Sequence, residues 1–234
     1  MAENQKPTSG IRKAIYLLLV ILLPATIYFI MTTGKHNMLS LPVYGNKDVS
    51  VAIVDGKEVS DTIYHTLPAF SFTNQYGETV SSTDFKGKIM VANFFFTTCP
   101  TICPKMTSGL VHAREKLKDY PQVIFLSHTV DPETDTVEAL AAYAKKARAD
   151  EGWHFVTGEK EEIYRQAVIG FMVGAQEDVL APGGFLHSEQ IVLVDKSGRI
   201  RGYYDGTELQ ELNRLIDEVK VLIASEMIPR KNKK

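Results

Sequence analysis

Hydrophobic residues along this chain fall into three patterns: one long unbroken run, several short apolar blocks, and several stretches with helical spacing. The unbroken run is AIYLLLVILLPATIYFIM, residues 14–31, eighteen positions without a charge. A helix of that length rises about 27 Å, close to the hydrocarbon thickness of a bilayer. Pro24 fits such a helix, since membrane helices carry proline more often than soluble ones. Lys6, Arg12 and Lys13 precede the run, which favours a cytoplasmic N-terminus and a translocated C-terminal domain. The run is longer than a signal-peptide core, and no small-x-small cleavage site follows it. It reads as an uncleaved transmembrane anchor, with residues 1–13 as a cytoplasmic N-terminus.

Residues 32–67 are mixed and turn-rich and read as a linker, with a short hairpin around Asp55-Gly56. Beyond them strands and helices alternate. FSFTNQYGETVSS predicts a hairpin turning at Tyr76-Gly77. KIMVANFFF, residues 88–96, is a nearly continuous apolar block, as expected of a strand buried on both faces. MTSGLVHAREKLKDY has helical spacing, with Leu110, Val111 and Leu117 on one side. QVIFLSHTV predicts a second strand. DTVEALAAYAKKARAD predicts a second helix, with Thr134 or Asp135 able to cap it. WHFVTG reads as a short strand and EKEEIYRQAVIG as a short helix. EQIVLVDKSGRIRGYYDG reads as two strands turning at Lys196-Ser197-Gly198, and TELQELNRLIDEVKVLIASE as an amphipathic closing helix. Residues 170–185, GFMVGAQEDVLAPGGF, lack a pattern and read as a long loop, the kind of segment that often carries function. The predicted fold is an α/β sandwich around a mixed sheet.

Charge adds an exclusion. Lys and Arg total 26 against 28 Asp and Glu, a net charge of −2, so no cationic footprint points to nucleic acid. The basic tail, residues 227–234, stands apart from the folded domain.

The chain has two cysteines, Cys99 and Cys103, in FFFTTCPTICPKM. A domain of this size needs no disulfide scaffold, and a staple closing so short a loop gains little chain entropy. The pair therefore reads as chemistry, either a redox couple or two soft metal ligands. It sits where a buried strand gives way to a helix, whose N-terminal N–H groups and partial positive charge favour thiolate. Positions i and i+4 share a helix face, and Pro100 and Pro104 suit a helix start, where a missing N–H costs nothing. Two sulfurs make an incomplete metal site, and soft thiolates select copper(I), zinc or iron–sulfur clusters; cysteines are too few for a cluster. Among the six histidines, His187 is the best third ligand, because it ends the glycine-rich segment just before a strand. His36, His65 and His112 read as surface residues, His128 and His154 as satisfied core or edge residues, and Met106 and Met172 as core. A thiol–disulfide oxidoreductase using Cys99 and Cys103 as its redox pair needs no metal, although C-x-x-C is the usual spacing. A peroxiredoxin-type peroxidase would carry a proline upstream of Thr97, where Asn93-Phe94-Phe95-Phe96 stand.

TTCPTICPKM, VDPETDTVEALAAYA, WHFVTG and HSEQIVLVDKSGRI, in this order, resemble the Sco/SenC family of membrane-anchored copper proteins, over roughly residues 68–224. The resemblance implies a thioredoxin-like fold over 68–226, a mixed sheet flanked by helices. It implies a copper ion, Cu(I) or Cu(II), held by Cys99, Cys103 and His187, with Asp131 supporting the site from close by. It also implies a role in maturing the binuclear copper site of cytochrome c oxidase subunit II, as copper donor, thiol reductant or both. The domain would then lie on the periplasmic side of the cytoplasmic membrane, as a metallochaperone more than an enzyme. Thr134 stands where the family often has arginine, and Val137 where it often has proline; both lie at a helix entry, outside the ligand set.

Overall fold

The computed structural model describes residues 9–33, 40–54, 57–177, 185–187 and 189–227, and describes no side chain at 9, 11, 29–33, 51–54, 57–59, 175–177, 185–187, 226 and 227. Two compact units divide between Leu39 and Ser40. The first holds helix α1 (Ser9–Thr33), with Pro24 inside it. Its side chains from Ile15 to Leu23 are exposed leucine, isoleucine, valine and tyrosine. Counting only described residues, no helix is long and apolar enough to cross a membrane; the uncharged run 14–31 continues past Tyr28, the last side chain described in α1.

The second unit opens with an antiparallel hairpin, β1 (Lys47–Val54) and β2 (Lys57–Tyr64). This is the hairpin expected within the linker, extended to eight residues per strand. The chain from Ser40 onward belongs to this unit: Tyr44 N–H donates to the Ile200 carbonyl and Leu67 N–H to the Gly198 carbonyl.

β3 (Ser71–Asn74), β4 (Thr79–Ser81), β5 (Ile89–Phe95), β6 (Val123–Thr129), β7 (Trp153–Thr157), β10 (Gln190–Val194) and β11 (Ile200–Asp205) form one sheet in the order β11-β10-β5-β6-β7-β3-β4. β5, β6 and β7 run parallel, while β10 and β3 join them antiparallel. Every residue of β5 and β6 is buried. Central strands covered on both faces require continuous apolar blocks, which explains the two runs in the sequence. The turns also follow local chemistry, since Gly77 and Gly198 both have φ of +77°, a conformation without penalty only for glycine.

Helix α2 (Ile102–Leu117) follows β5, and α3 (Val137–Ala147) follows β6. α2 buries Cys103, Met106, Gly109, Leu110, Ala113 and Leu117, a stripe at helical spacing. At Gly109 the chain approaches α5 (Leu209–Met227) closely: a Cβ there would lie 2.5 Å from a Leu212 methyl. Short helix α4 (Lys160–Arg165) runs into one π-helical turn, Gln166–Gly170.

Two local expectations change. The segment read as a loop from Gly170 to Phe185 begins at the end of that π turn, and its flanks pair as a small antiparallel sheet, β8 (Ala175–Glu177) with β9 (Phe185–His187). Backbone pairing needs no hydrophobic alternation, which is why the pattern concealed it; residues 178–184 lie outside the described set. The cap of α3 is neither Thr134 nor Asp135 but Thr136, whose side chain accepts from Ala139 N–H at 3.3 Å. Asp135 is turned inward.

Candidate functional site

β5 ends at Phe95, and the chain turns through Thr97 and Thr98 before α2. Cys99 N–H donates to the Phe96 carbonyl at 3.3 Å. Thr101 stands at the N-cap of α2 but makes no capping bond. A sulfur supplies one instead: Cys103 N–H donates to Cys99 Sγ at 3.3 Å. One of the helix's orphan donors thus points at the first cysteine, which lies just before the helix. Pro104, in the first turn, has no N–H to satisfy.

Neither cysteine is in a disulfide, and the two thiols are not equivalent. Cys99 retains 7% of its exposure and Cys103 none. Burial pushes the Cys103 thiol well above its ordinary range, and the hydrogen bond and charge of Cys99 add to the rise, with a smaller push from Asp135.

Asp135 is the group that spacing did not reveal. Fully buried, it accepts Thr97 N–H at 3.0 Å and the hydroxyls of Thr97 and Thr129. Its carboxylate therefore holds the residue two before Cys99. Asp131, the acid expected to support the site, accepts Thr134 N–H at 3.4 Å and donates its own N–H to Thr129 Oγ1. It shapes the turn that delivers Asp135, and among the described contacts it is Asp135 that reaches the cysteine loop. VDPETD contains both acids, and nothing local to that stretch shows which one the fold turns inward.

His187 lies on β9, with its Cα opposite Ala175. Its ring is outside the described side chains, so its place in a ligand set rests on the sequence. Among the described residues no group of three or more histidine, cysteine or acidic side chains converges on one point.

The other histidines divide differently from the sequence reading. His36 is outside the described residues. His65 is partly buried and bonds through Nε2 to the Gly170 carbonyl at 2.8 Å. His112, partly buried, sits 3.4 Å from Asn213 Oδ1. His128, expected to be a satisfied core residue, is buried with neither ring nitrogen hydrogen-bonded. It stacks on Phe94 at 4.8 Å and meets Phe70, Phe72 and Phe171 edge-on. Burial lowers its pKa to about 3. His154 is half-buried, with Nδ1 unpartnered. Met106 is core as expected, whereas Met172, two residues past the π turn, is exposed with φ of 56°.

Known proteins match this arrangement. The family model SCO1/SenC matches residues 60–224. The SCO1 protein homolog of Bacillus subtilis (strain 168) is 32% identical over 171 residues, covering 70% of this chain and 86% of that protein. Among solved structures, BsSco, described as having a disulfide switch and as a member of the Sco family of cytochrome c oxidase assembly proteins, aligns with a TM-score of 0.61. The two share 31% identity, with 68% of this chain and 93% of that one covered. Bradyrhizobium japonicum ScoI with copper bound aligns with a TM-score of 0.54 at 25% identity, covering 64% and 98%. With Cys99 just ahead of a helix that leaves a buried parallel strand, Cys103 in that helix's first turn, and a family model spanning most of the domain, this chain belongs to the SCO1/SenC family.

Proposed function

We propose that this chain is a membrane-anchored, extracytoplasmic copper-binding protein that assists assembly of the binuclear copper site of cytochrome c oxidase subunit II, by copper delivery, thiol reduction or both. The observation that carries the reading is the pair of reduced, nearly dry cysteines at the start of α2, with Cys103 N–H on Cys99 Sγ, in a chain whose family includes a relative solved with copper. Two thiols and an imidazole are a donor set suited to a soft ion. Cys99, Cys103 and His187 would hold the copper, which is cargo here. What the chain itself contributes is a Cys99–Cys103 geometry set by the helix start, and a loop braced by Asp135 through Thr97.

Topology is part of the proposal. Residues 14–31 form the single membrane span within α1, residues 1–13 stay in the cytoplasm, and the thioredoxin-like domain lies beyond the membrane. The uncharged run, the exposed apolar side chains of α1 and the preceding cations support this.

The test is metal content and visible absorption of the copper-loaded full chain. One copper per chain is expected, with a thiolate-to-copper(II) charge-transfer band that disappears in Cys99→Ala, Cys103→Ala and His187→Ala. Full copper retention in His187→Ala would refute the three-ligand site. Resistance of the chain to alkaline extraction from membranes checks the anchor.

A second reading is metal-independent thiol–disulfide exchange through the same pair. The contact of Cys103 N–H with Cys99 Sγ favours it, because it directs a donor at the sulfur that would carry negative charge. Reduction of a disulfide substrate by metal-free protein, unchanged in His187→Ala, is its signature.

A further inference from the structure

A cavity of about 490 Å³ opens between α2 and α3, and Cys99 forms part of its wall. Thr97, Thr107 and Tyr143 also line it, the last two joined by a 2.9 Å hydroxyl bond. The remaining exposure of Cys99 is small, so what reaches this sulfur is limited by the walls around it. The volume lies within the range of small-molecule sites.

Two cations stand on the wall, Lys146 and Arg148, and among the described residues no acidic side chain lines the cavity. Both are exposed, and neither pairs with a carboxylate among the described residues. Helix α3 accounts for part of this, because cations in a last turn favour the negative end of the helix dipole. It does not account for Arg148. That residue has φ of 53° and closes the helix with its N–H on the Ala144 and Lys145 carbonyls. Glycine is the residue without penalty at such a position. An arginine there accepts backbone strain while placing a guanidinium on the cavity that reaches the thiol.

We propose that this cavity is the entry site for a small anionic disulfide, whose carboxylates pair with Lys146 and Arg148 while one of its sulfurs meets Cys99. The proposal rests on the dithiol reading of the pair given above and adds the class of substrate. The Cys99 thiolate attacks one sulfur of the substrate, forming a mixed disulfide and expelling the other half as thiolate. The Cys103 sulfur, its proton released to solvent, then displaces the second half. Two electrons pass from the cysteine pair to the substrate, a Cys99–Cys103 disulfide remains, and the two released thiolates take protons from water. The greater burial of Cys103 suits it to the second step and Cys99 to the first.

The test is single-turnover oxidation of the full chain, reduced and free of metal, by oxidised glutathione (anionic), hydroxyethyl disulfide (neutral) and cystamine (cationic). Expected is a rate at least about tenfold higher for oxidised glutathione than for cystamine at low ionic strength. Hydroxyethyl disulfide should fall between them, and the preference should shrink as salt screens the charges over the ~10 Å Debye length of 0.1 M salt. Lys146→Gln and Arg148→Gly should each reduce the anion-to-cation ratio about threefold. Arg148→Gly removes the charge while relieving the backbone, so its melting temperature should hold or rise, and a lost ratio in that variant cannot be assigned to misfolding. The ratio is the readout because a general change in thiol reactivity leaves it alone. A ratio near one in the wild type, or one unchanged in the double variant, overturns the proposal. Copper binding by the wild-type chain is measured in parallel, and its failure would count against the metal reading alone.

Discussion

Cys103 N–H points at Cys99 Sγ, 3.3 Å away, while the Cys103 sulfur itself is fully buried. Two thiols four residues apart thus occupy different environments: one accepts from a helix N-terminus and the other has lost its solvent. Burial, reinforced by Cys99 and by the Asp135 charge, raises the Cys103 pKa, and thiolate is the reactive form. Alkylation of the reduced chain at pH 8 should therefore modify Cys99 first, by at least about tenfold, as mapped by mass spectrometry of quenched samples. Equal rates at the two sulfurs would contradict the asymmetry.

Asp135 should be needed both for stability and for the behaviour of the thiols. Replacing it by alanine strands Thr97 N–H and two hydroxyls, at about 1–3 kcal/mol for each buried group left unpaired. Denaturant titration should show Asp135→Ala destabilised by about 3 kcal/mol and Asp135→Asn by less, since the amide oxygen retains one acceptor. Asp135→Asn also removes a negative charge that raises the Cys103 pKa. Alkylation of Cys103 should accordingly become faster in that variant, with its pH profile displaced to lower pH, whereas a loss of loop stability alone would raise the rate without moving the profile.

His128 gives the fold an acid-sensitive component. Burial holds its pKa at about 3 in the folded chain, against 6.5 for an unperturbed histidine. Above pH 6.5 both states are neutral and the residue adds no pH dependence. As pH falls from 6.5 toward 3, the unfolded chain takes up a proton that the aromatic cage refuses. Stability is lost at about 1.4 kcal/mol per pH unit in that window. His128→Phe, which keeps an aromatic ring among Phe70, Phe72, Phe94 and Phe171, should flatten this limb of the stability profile. An unchanged slope between pH 6 and 4 would show that other groups set it.

Arg201 ties the segment before β1 to the sheet. Nearly buried, it donates to the Pro42 carbonyl at 2.8 Å, to the Leu41 carbonyl, and to Asp195 Oδ2 at 2.8 Å. Breaking a buried charge pair costs about 3 kcal/mol or more when one partner remains, though Arg199 still faces Asp195 at 3.0 Å. Arg201→Ala should lower the melting temperature and open residues 40–46 to limited proteolysis. Cleavage there at the wild-type rate would mean that Tyr44 and the hairpin hold the segment without the arginine.

Much of this molecule is written in short-range pattern. The all-buried runs of β5 and β6, the apolar stripe of α2, the glycine turns at Gly77 and Gly198, and the cysteine spacing that joins Cys103 to Cys99 each follow from preferences that act within a few residues. A backbone obeys those preferences wherever the rest of the chain lies. Tertiary structure decided what depends on approach between distant segments. It turned Asp135 away from capping α3 and onto Thr97, 38 residues earlier in the chain. It enclosed His128 among four phenylalanines drawn from β3, β5, the approach to β3 and the segment after the π turn. It also set Arg148 on a cavity with Cys99. Charge and hydrogen-bond demand act through space, and a buried carboxylate or an unpaired guanidinium takes its partners from whichever segments the packed core brings within reach.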